Sequence, residues 1–212
     1  LLGRPLKEPQ LWDAFHIVNM RRSANFSVPG AGKTSTVLGA FAYLSERRIV
    51  KRILVIGPLN CFRAWKNESA LCFQGKRDIQ IFDFHAAHKA DAAERHDRLI
   101  YDGKSADIIL VNYEATTTNF ETLLELIDDE TMLVFDEVHR VKKFDGKRGE
   151  IARAFASKGT ANYCVVLTGT PIPNGFTDTM NFLNILFPSE YDDYFGFTYS
   201  DMVVANRDNF QA

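Results

Sequence analysis

Several features that would narrow the function of this chain are scarce or absent. The 212 residues include three cysteines, Cys61, Cys72 and Cys164, which are widely spaced and form no Cys-x-x-Cys pair. This pattern argues against a disulfide framework or a zinc site and favours buried, reduced thiols. The longest apolar runs, at 53–56 and 108–111, are far too short to cross a bilayer, and no secretory leader opens the sequence. We therefore expect a cytoplasmic protein, or a nuclear one in a eukaryote, with no membrane partner.

An excess of charge of either sign is also missing. The formal net charge is -2 and the isoelectric point is near 6.2, so overall charge neither favours nor excludes a nucleic-acid partner. Hydrophobic residues make up 46% and charged residues 25%, the balance of an ordinary globular protein. The sequence has no internal repeat, low-complexity tract or Pro/Ser-rich linker. We therefore expect one domain over residues 1–212.

Short apolar, β-branched runs alternate with segments of helical spacing. The predicted strands are 24–28, 52–57, 79–84, 108–113, 132–135 and 163–167. The predicted helices are 10–20, 33–48, 61–73, 86–101, 120–128, 149–157 and 178–187, and 191–197 is an irregular, aromatic-rich segment. Strands of nearly continuous apolar character are typical of a parallel sheet covered on both faces. The predicted fold class is α/β, a three-layer α/β/α sandwich with a mostly parallel sheet, and in the first helix Leu11, Phe15 and Val18 should face inward.

A glycine-rich loop lies between the first predicted strand and the next helix, and it reads SVPGAGKT from Ser27 to Thr34. Gly30 and Gly32 would let the backbone amides turn toward phosphate oxygens, at the positive end of the helix dipole. Lys33 would reach the β- and γ-phosphates, and Thr34 would hold Mg2+. The loop therefore predicts a nucleoside triphosphate site, with a tight glycine turn before an amphipathic helix as the alternative.

Two adjacent carboxylates, Asp136 and Glu137, follow the predicted strand at 132–135. The carboxyl end of a buried parallel strand is where such sheets place ligand chemistry. Asp136 would act on the Mg2+ shell and Glu137 would polarise the water that attacks the γ-phosphate. His139 could report the state of that phosphate by hydrogen bonding. A strand that simply emerges into a polar turn is the alternative.

A third polar segment, Thr168-Gly169-Thr170, ends the predicted strand at 163–167 and precedes Pro171. Two hydroxyl side chains around a glycine could couple the nucleotide state to another surface. Taken alone, the segment is more typical of a strand that exits into a loop, where Pro171 prevents further pairing.

Taken in order, these segments resemble the first RecA-like domain of a superfamily-two helicase, most closely the Swi/Snf-type DNA-dependent ATPases. The resemblance covers nearly the whole chain. It is carried by a leading Leu-basic-x-x-Gln motif, the nucleotide loop, a strand with Pro and Trp-x-x-Glu, a strand with Asn-Tyr-Glu, an Asp-Glu-x-His-Arg-x-Lys signature and Leu-Thr-Gly-Thr-Pro-x-x-Asn. These motifs begin at Leu6, Val28, Ile53, Asp107, Asp136 and Leu167.

The resemblance implies a site for ATP and Mg2+. It implies that Gln10 contacts the adenine and that Lys33, Asp136 and Glu137 are catalytic, with Mg2+ at Thr34 and Asp136. The other implied nucleotide-binding residues are Pro29, Gly30, Ala31, Gly32, Ser35 and His139, and the implied coupling residues are Thr168, Gly169 and Thr170.

The resemblance also implies a nucleic-acid partner, double-stranded DNA, contacted mostly through its backbone. The implied contact residues are Pro58, Asn112, Tyr113, Lys142, Lys143, Thr170 and Asn174. The family's second RecA-like domain, which supplies arginine fingers, is not recognisable in these residues. We therefore expect residues 1–212 alone to bind nucleotide weakly and hydrolyse it slowly, because an arginine finger contributes about a thousandfold or more in rate.

Other functions stay open at this stage. One is a strand-separating DNA or RNA helicase, or the motor subunit of a restriction system. A second is a non-catalytic module that holds nucleotide for structural reasons. A third is a small-molecule kinase with the same loop, which the Thr168-Gly169-Thr170 segment fits poorly.

Overall fold

The computed structural model describes residues 1–86, 92–141, 146–172, 175–188 and 199–210. Its strands are β1 (Arg22–Asn25), β2 (Arg52–Gly57), β3 (Ile81–Asp83), β4 (Ile108–Asn112), β5 (Thr131–Asp136) and β6 (Tyr163–Leu167). Its helices are α1 (Glu8–Met20), α2 (Lys33–Glu46), α3 (Leu59–Phe73), α4 (Ala92–Ser105), α5 (Ala115–Thr118), α6 (Phe120–Leu124), α7 (Lys147–Lys158), α8 (Thr179–Leu186) and α9 (Tyr199–Phe210). Short 3-10 turns occupy Val138–Val141 and Phe176–Asp178. Of the helices described, each is too short or too polar to span a membrane.

The strands form one sheet in the order β1-β6-β5-β2-β4-β3, and every described pair is parallel. This confirms the predicted α/β class and parallel sheet. Leu167 at the end of β6 is in register with Asn25 of β1 on one side and with Asp136 of β5 on the other. The loops that follow β1, β6 and β5 therefore leave the same edge of the sheet side by side.

Both faces of the sheet are covered, and this explains the apolar character of its strands. All six residues of β2 are buried; Leu54 and Ile56 join a core on one face, and Ile53 and Val55 join a second core on the other. Helices α4, α6, α7 and α8 contribute to the first core, whereas α1, α2 and α3 contribute to the second. The sandwich has three layers, as the sequence predicts.

Helix α1 corrects one prediction. Leu11 and Phe15 do not face inward, since they are 54% and 61% exposed, whereas Ala14 and Ile17 are buried against α2. Val18 is partly buried and packs on the same core, as predicted. The rotation of α1 follows from its first turn, where the Gln10 side chain is tied both to the backbone of Lys7 and to the loop before α2.

Element boundaries differ from the predictions where local hydrogen bonds compete with the sheet or a helix. The first strand is β1 at Arg22–Asn25 rather than 24–28, because the Asn25 side chain accepts a bond from the Ser27 amide and turns the chain out of the sheet. The predicted helix at 120–128 is the shorter α6, which ends at Leu124, and α5, which precedes it, was not predicted. The aromatic segment 191–197 lies outside the described residues.

Candidate active site

The loop after β1 has the backbone conformation that its glycines predict. Gly30 and Gly32 have φ values of 83° and 88°, a left-handed region in which a side chain is strained. Gly32 is the N-cap of α2, and within the described residues no side-chain hydrogen bond caps this helix start. A Cβ added at Gly30 would meet no described atom within 4 Å. The helix start without a side-chain cap and the open space beside Gly30 fit a bound phosphate group.

The side chains of Lys33 and Gln10 help to hold this loop in place. The Lys33 ammonium donates to the carbonyl oxygens of Ser27 at 2.9 Å and of Val28 at 3.4 Å. The Gln10 amide nitrogen donates to the carbonyl of Ala31 at 3.0 Å. A Cβ on Gly32 would overlap the Gln10 amide. The side chain of Gln10, which belongs to α1, therefore lies against the glycine loop next to the start of α2, the helix that carries Lys33.

Asp136 ends β5 as a buried carboxylate whose two oxygens are both held. Oδ2 accepts a hydrogen bond from the Trp65 indole at 2.9 Å, and Oδ1 accepts one from the Glu137 amide at 2.9 Å. Gly57 lies beside it, where an added Cβ would be 3.1 Å from the Asp136 Cβ. Burial raises the pKa of Asp136, the Trp65 bond opposes that shift, and the charge of Glu137 adds to it.

A thiol and a phenol complete the surroundings of Asp136. The Cys61 sulfur and carboxylate oxygens of Asp136 and Glu137 lie within 4.8 Å of one another. Burial and then the two carboxylates raise the pKa of Cys61 to about 12, so the thiol stays neutral and oxygen atoms are the charged donors. Such a donor set fits Mg2+. The Tyr113 hydroxyl donates to the Asp136 carbonyl at 2.8 Å and supports its backbone.

Glu137 is linked to the loop after β6 through His139. Its backbone has φ of 50°, which is unusual for a residue with a side chain. The Glu137 carboxylate lies 3.2 Å from His139 Nδ1, and the same nitrogen lies 2.9 Å from the Thr168 hydroxyl. The Thr170 amide donates to the Thr168 hydroxyl at 3.1 Å. One imidazole therefore contacts both Glu137 and the Thr168-Gly169-Thr170 segment.

That segment also touches the glycine-rich loop. A Cβ added at Gly169 would lie 2.8 Å from Cδ of Pro29, so the two loops pack in van der Waals contact. This contact and the His139 contact place Thr168-Gly169-Thr170 between the loop of Lys33 and the carboxylates. Three separately predicted segments thus form a single site at the sheet edge where β1, β6 and β5 end.

Comparisons with known proteins agree with this arrangement. The model of the SNF2-related domain matches residues 27–203. The chain belongs to the SNF2-related domain family. It is 27% identical over 203 residues to the SWI/SNF-related matrix-associated actin-dependent regulator of chromatin subfamily A member 1 of Mus musculus, covering 90% of this chain and 18% of that protein. It is 26% identical over 164 residues to the ATP-dependent helicase fft3 of Schizosaccharomyces pombe, covering 77% and 17%.

A solved structure shares the fold. The SWI2/SNF2 ATPase core of Sulfolobus solfataricus in complex with double-stranded DNA superposes with a TM-score of 0.72 at 21% identity, covering 95% of this chain and 38% of that one. The chain spans less than a fifth of the length of the Mus musculus and Schizosaccharomyces pombe relatives named above. At this identity the likeness establishes the fold of the domain.

Some predicted site residues of the SNF2-related domain lie elsewhere than expected. The side chain of Ser35, a predicted nucleotide contact, is buried and donates to Glu68 at 2.6 Å, and its backbone amide belongs to the start of α2. Pro58, Asn112 and Tyr113, three of the predicted nucleic-acid contacts, are buried, with Tyr113 only 2% exposed. They end buried strands or lie just after them, where the chain has not yet reached the surface.

The remaining nucleic-acid residues divide in two. Thr170 is exposed beside the site, in agreement with a surface role. Lys142, Lys143 and Asn174 lie outside the described residues.

Three residues around the site carried no role in the sequence interpretation. Trp65 holds Asp136, and Glu68 holds Ser35 together with Arg4. Trp65 and Glu68 are visible in the sequence as Trp-x-x-Glu on a helical segment, but that spacing alone does not say which loops the helix would contact.

Proposed function

We propose that this SNF2-related domain is the ATP-binding half of a DNA-dependent ATPase that uses hydrolysis to move along double-stranded DNA. One observation carries the proposal. The loop of Lys33, the Asp136-Glu137 pair and the Thr168-Gly169-Thr170 segment, which are far apart in sequence, meet at one sheet edge in direct contact. Such a DNA substrate implies work in the cytoplasm, or in the nucleus of a eukaryote.

Each group at this edge has a chemical role that its position supports. The amides of the glycine loop and the Lys33 ammonium would bind the β- and γ-phosphates. Thr34 and Asp136 would hold Mg2+, which when bound neutralises developing phosphate charge. The Glu137 carboxylate would orient and polarise the attacking water. Gln10, which lies on the loop, would meet the base end of the nucleotide.

The His139 contacts suggest how hydrolysis could be sensed. His139 lies between Glu137 and Thr168, and the adjoining Thr170 is exposed. Loss of the γ-phosphate would change the charge beside Glu137, and the hydrogen bonds through His139 would transmit that change to the surface loop. Thr170 would then contact the DNA backbone together with Lys142, Lys143 and Asn174. A handful of phosphate contacts binds weakly and is salt-sensitive, as expected for half of a two-domain groove.

The proposal includes a second RecA-like domain that supplies arginine fingers. In its absence residues 1–212 should hydrolyse ATP slowly, with or without duplex DNA. Fast turnover of the isolated chain, stimulated by DNA, would contradict this part of the proposal.

The test is phosphate release by the natural polypeptide that carries this domain, with and without duplex DNA. We expect stimulation by duplex DNA and a loss of turnover in Glu137→Gln, because an amide is a far poorer base. Glu125→Gln, which makes the same change at an exposed residue of another loop, should retain turnover. Equal turnover in both variants would reject the role of Glu137. A strand-displacement assay distinguishes a translocase from a strand-separating helicase, since unwinding of the duplex would favour the helicase.

A further inference from the structure

Helix α3 presents one face to the candidate site at several points. Cys61, Trp65, Glu68 and Cys72 are spaced by four, three and four residues, so they share one side of the helix. Cys61 and Trp65 approach Asp136, whereas Glu68 and Cys72 approach Arg4 and the first turn of α2. One helix therefore touches both halves of the proposed Mg2+ site, and the roles proposed above give these residues no part.

Trp65 is placed to fix the orientation of a carboxylate. The indole is fully buried, and its single N–H donates to Asp136 Oδ2 at 2.9 Å. The Glu137 amide holds the other oxygen, so two donors determine the plane of the carboxylate. The Cys61 thiol forms a further hydrogen bond with this carboxylate, and the lone pairs that remain could bind a metal or its water ligands.

Glu68 makes the corresponding contact one turn later. Its Oε2 accepts a hydrogen bond from the Ser35 hydroxyl at 2.6 Å and forms an ion pair with Arg4. Burial works to raise the pKa of Glu68, but the bonds from Ser35 and Arg4 outweigh it and lower the pKa. Ser35 follows Thr34 directly in the first turn of α2. Glu68 thus anchors the backbone that carries Thr34.

We propose that Trp65 and Glu68 are positioning residues that set the separation of Asp136 and Thr34, with α3 as the rigid spacer. Three helical residues rise about 4.5 Å, which is a fixed length between the two anchors. The inference rests on the proposed function, because it assumes that Asp136 and Thr34 bind Mg2+ with the nucleotide. The inference adds that the positions of Asp136 and Thr34 depend on their contacts with α3 as well as on the loops that carry them.

The experiment is calorimetric binding of ATP in excess Mg2+ and again in a metal chelator. The ratio of the two affinities measures how strongly Mg2+ and nucleotide favour each other. Trp65→Phe keeps an aromatic ring and removes the N–H, so this ratio should fall about tenfold, as for other partners that orient metal ligands, while the affinity in chelator stays the same. Trp12→Phe makes the same change at a residue that is 66% exposed and should leave both affinities unchanged.

Two further variants guard against a simple loss of folding. Glu68→Ala should lower the same ratio, and Glu68→Gln, which keeps an acceptor for Ser35, should restore much of it.

In Trp12→Phe the indole N–H of Trp65 is the single one left in the nuclear magnetic resonance spectrum. Asp136→Asn in that background should shift this signal if Trp65 donates to Asp136. An unchanged ratio in a folded Trp65→Phe protein would overturn the inference. Absence of Mg2+-dependent binding in the unsubstituted chain would instead overturn the proposed function and the inference with it.

Discussion

Substitutions at two glycines of one loop test whether the Gln10 side chain lies against that loop. The two glycines have the same backbone conformation, but only one of them is next to Gln10. Gly30 and Gly32 have nearly equal positive φ values, 83° and 88°. A Cβ at Gly30 would point into open space, whereas a Cβ at Gly32 would overlap the Gln10 amide that donates to Ala31. Alanine at either position should therefore cost the same backbone strain, and only Gly32→Ala should also displace Gln10.

The magnitudes follow from this difference. Alanine in the left-handed region costs about 1–2 kcal/mol, and the reduced freedom of the unfolded chain returns about 0.4–1 kcal/mol. We expect Gly30→Ala to lower the free energy of unfolding by about 1 kcal/mol. Gly32→Ala should lower it by about 1 kcal/mol more, since the Gln10 hydrogen bond is lost. With a urea dependence of about 2 kcal/mol per molar, the midpoints should differ by about 0.5 M.

Urea unfolding followed by circular dichroism measures both values, and Gln10→Ala supplies the control. Without the Gln10 amide there is nothing to displace, so in that background Gly32→Ala should cost the same as Gly30→Ala. The reasoning is refuted if Gly32→Ala and Gly30→Ala cost the same in the unsubstituted chain, because Gln10 would then not lie on the loop.

Three other expectations follow from the structure. Burial raises the pKa of Asp136 in the folded state, so its contribution to stability is fully present below the unfolded pKa and declines as pH rises through the folded pKa. The stability of Asp136→Asn relative to the unsubstituted chain should therefore be higher at pH 7 than near pH 4, in urea midpoints measured at both pH values. Gly169→Ala places a Cβ 2.8 Å from Pro29 and should weaken ATP binding in calorimetry by separating the two loops, and unchanged affinity would show that their contact is dispensable. Trp12→Ser and Phe15→Ser should each change the free energy of unfolding by less than about 0.5 kcal/mol and raise solubility, whereas a loss of about 3–5 kcal/mol would show that these rings are buried after all.

The sheet and the chemistry of its edge were predictable because each rests on a local signal. The apolar runs at 52–57 and 163–167 match β2 and β6 residue for residue. Gly30 and Gly32 predicted a loop in which the backbone turns sharply, and both residues have positive φ. Parallel strands place their following loops at one edge, so the location of Asp136 and the glycine loop at the same edge followed from the fold class.

Other features depend on tertiary contacts that periodicity does not contain. In α1 the apolar residues at 11, 14, 15, 17 and 18 allow more than one inward face, and the tie of Gln10 to Ala31 selects the face of Ala14 and Ile17. The burial of Tyr113 reflects a hydrogen bond to a strand residue that lies 23 positions away.

The central claim is that the Lys33 loop binds ATP with Mg2+, and calorimetry of residues 1–212 tests it most directly. We predict weak binding that Lys33→Ala abolishes and that Lys51→Ala retains, because Lys51 precedes β2 at the opposite edge of the sheet and pairs with Glu130. Binding of equal strength in the Lys33→Ala variant, or no binding at millimolar ATP in either the isolated chain or the natural polypeptide, would contradict the account.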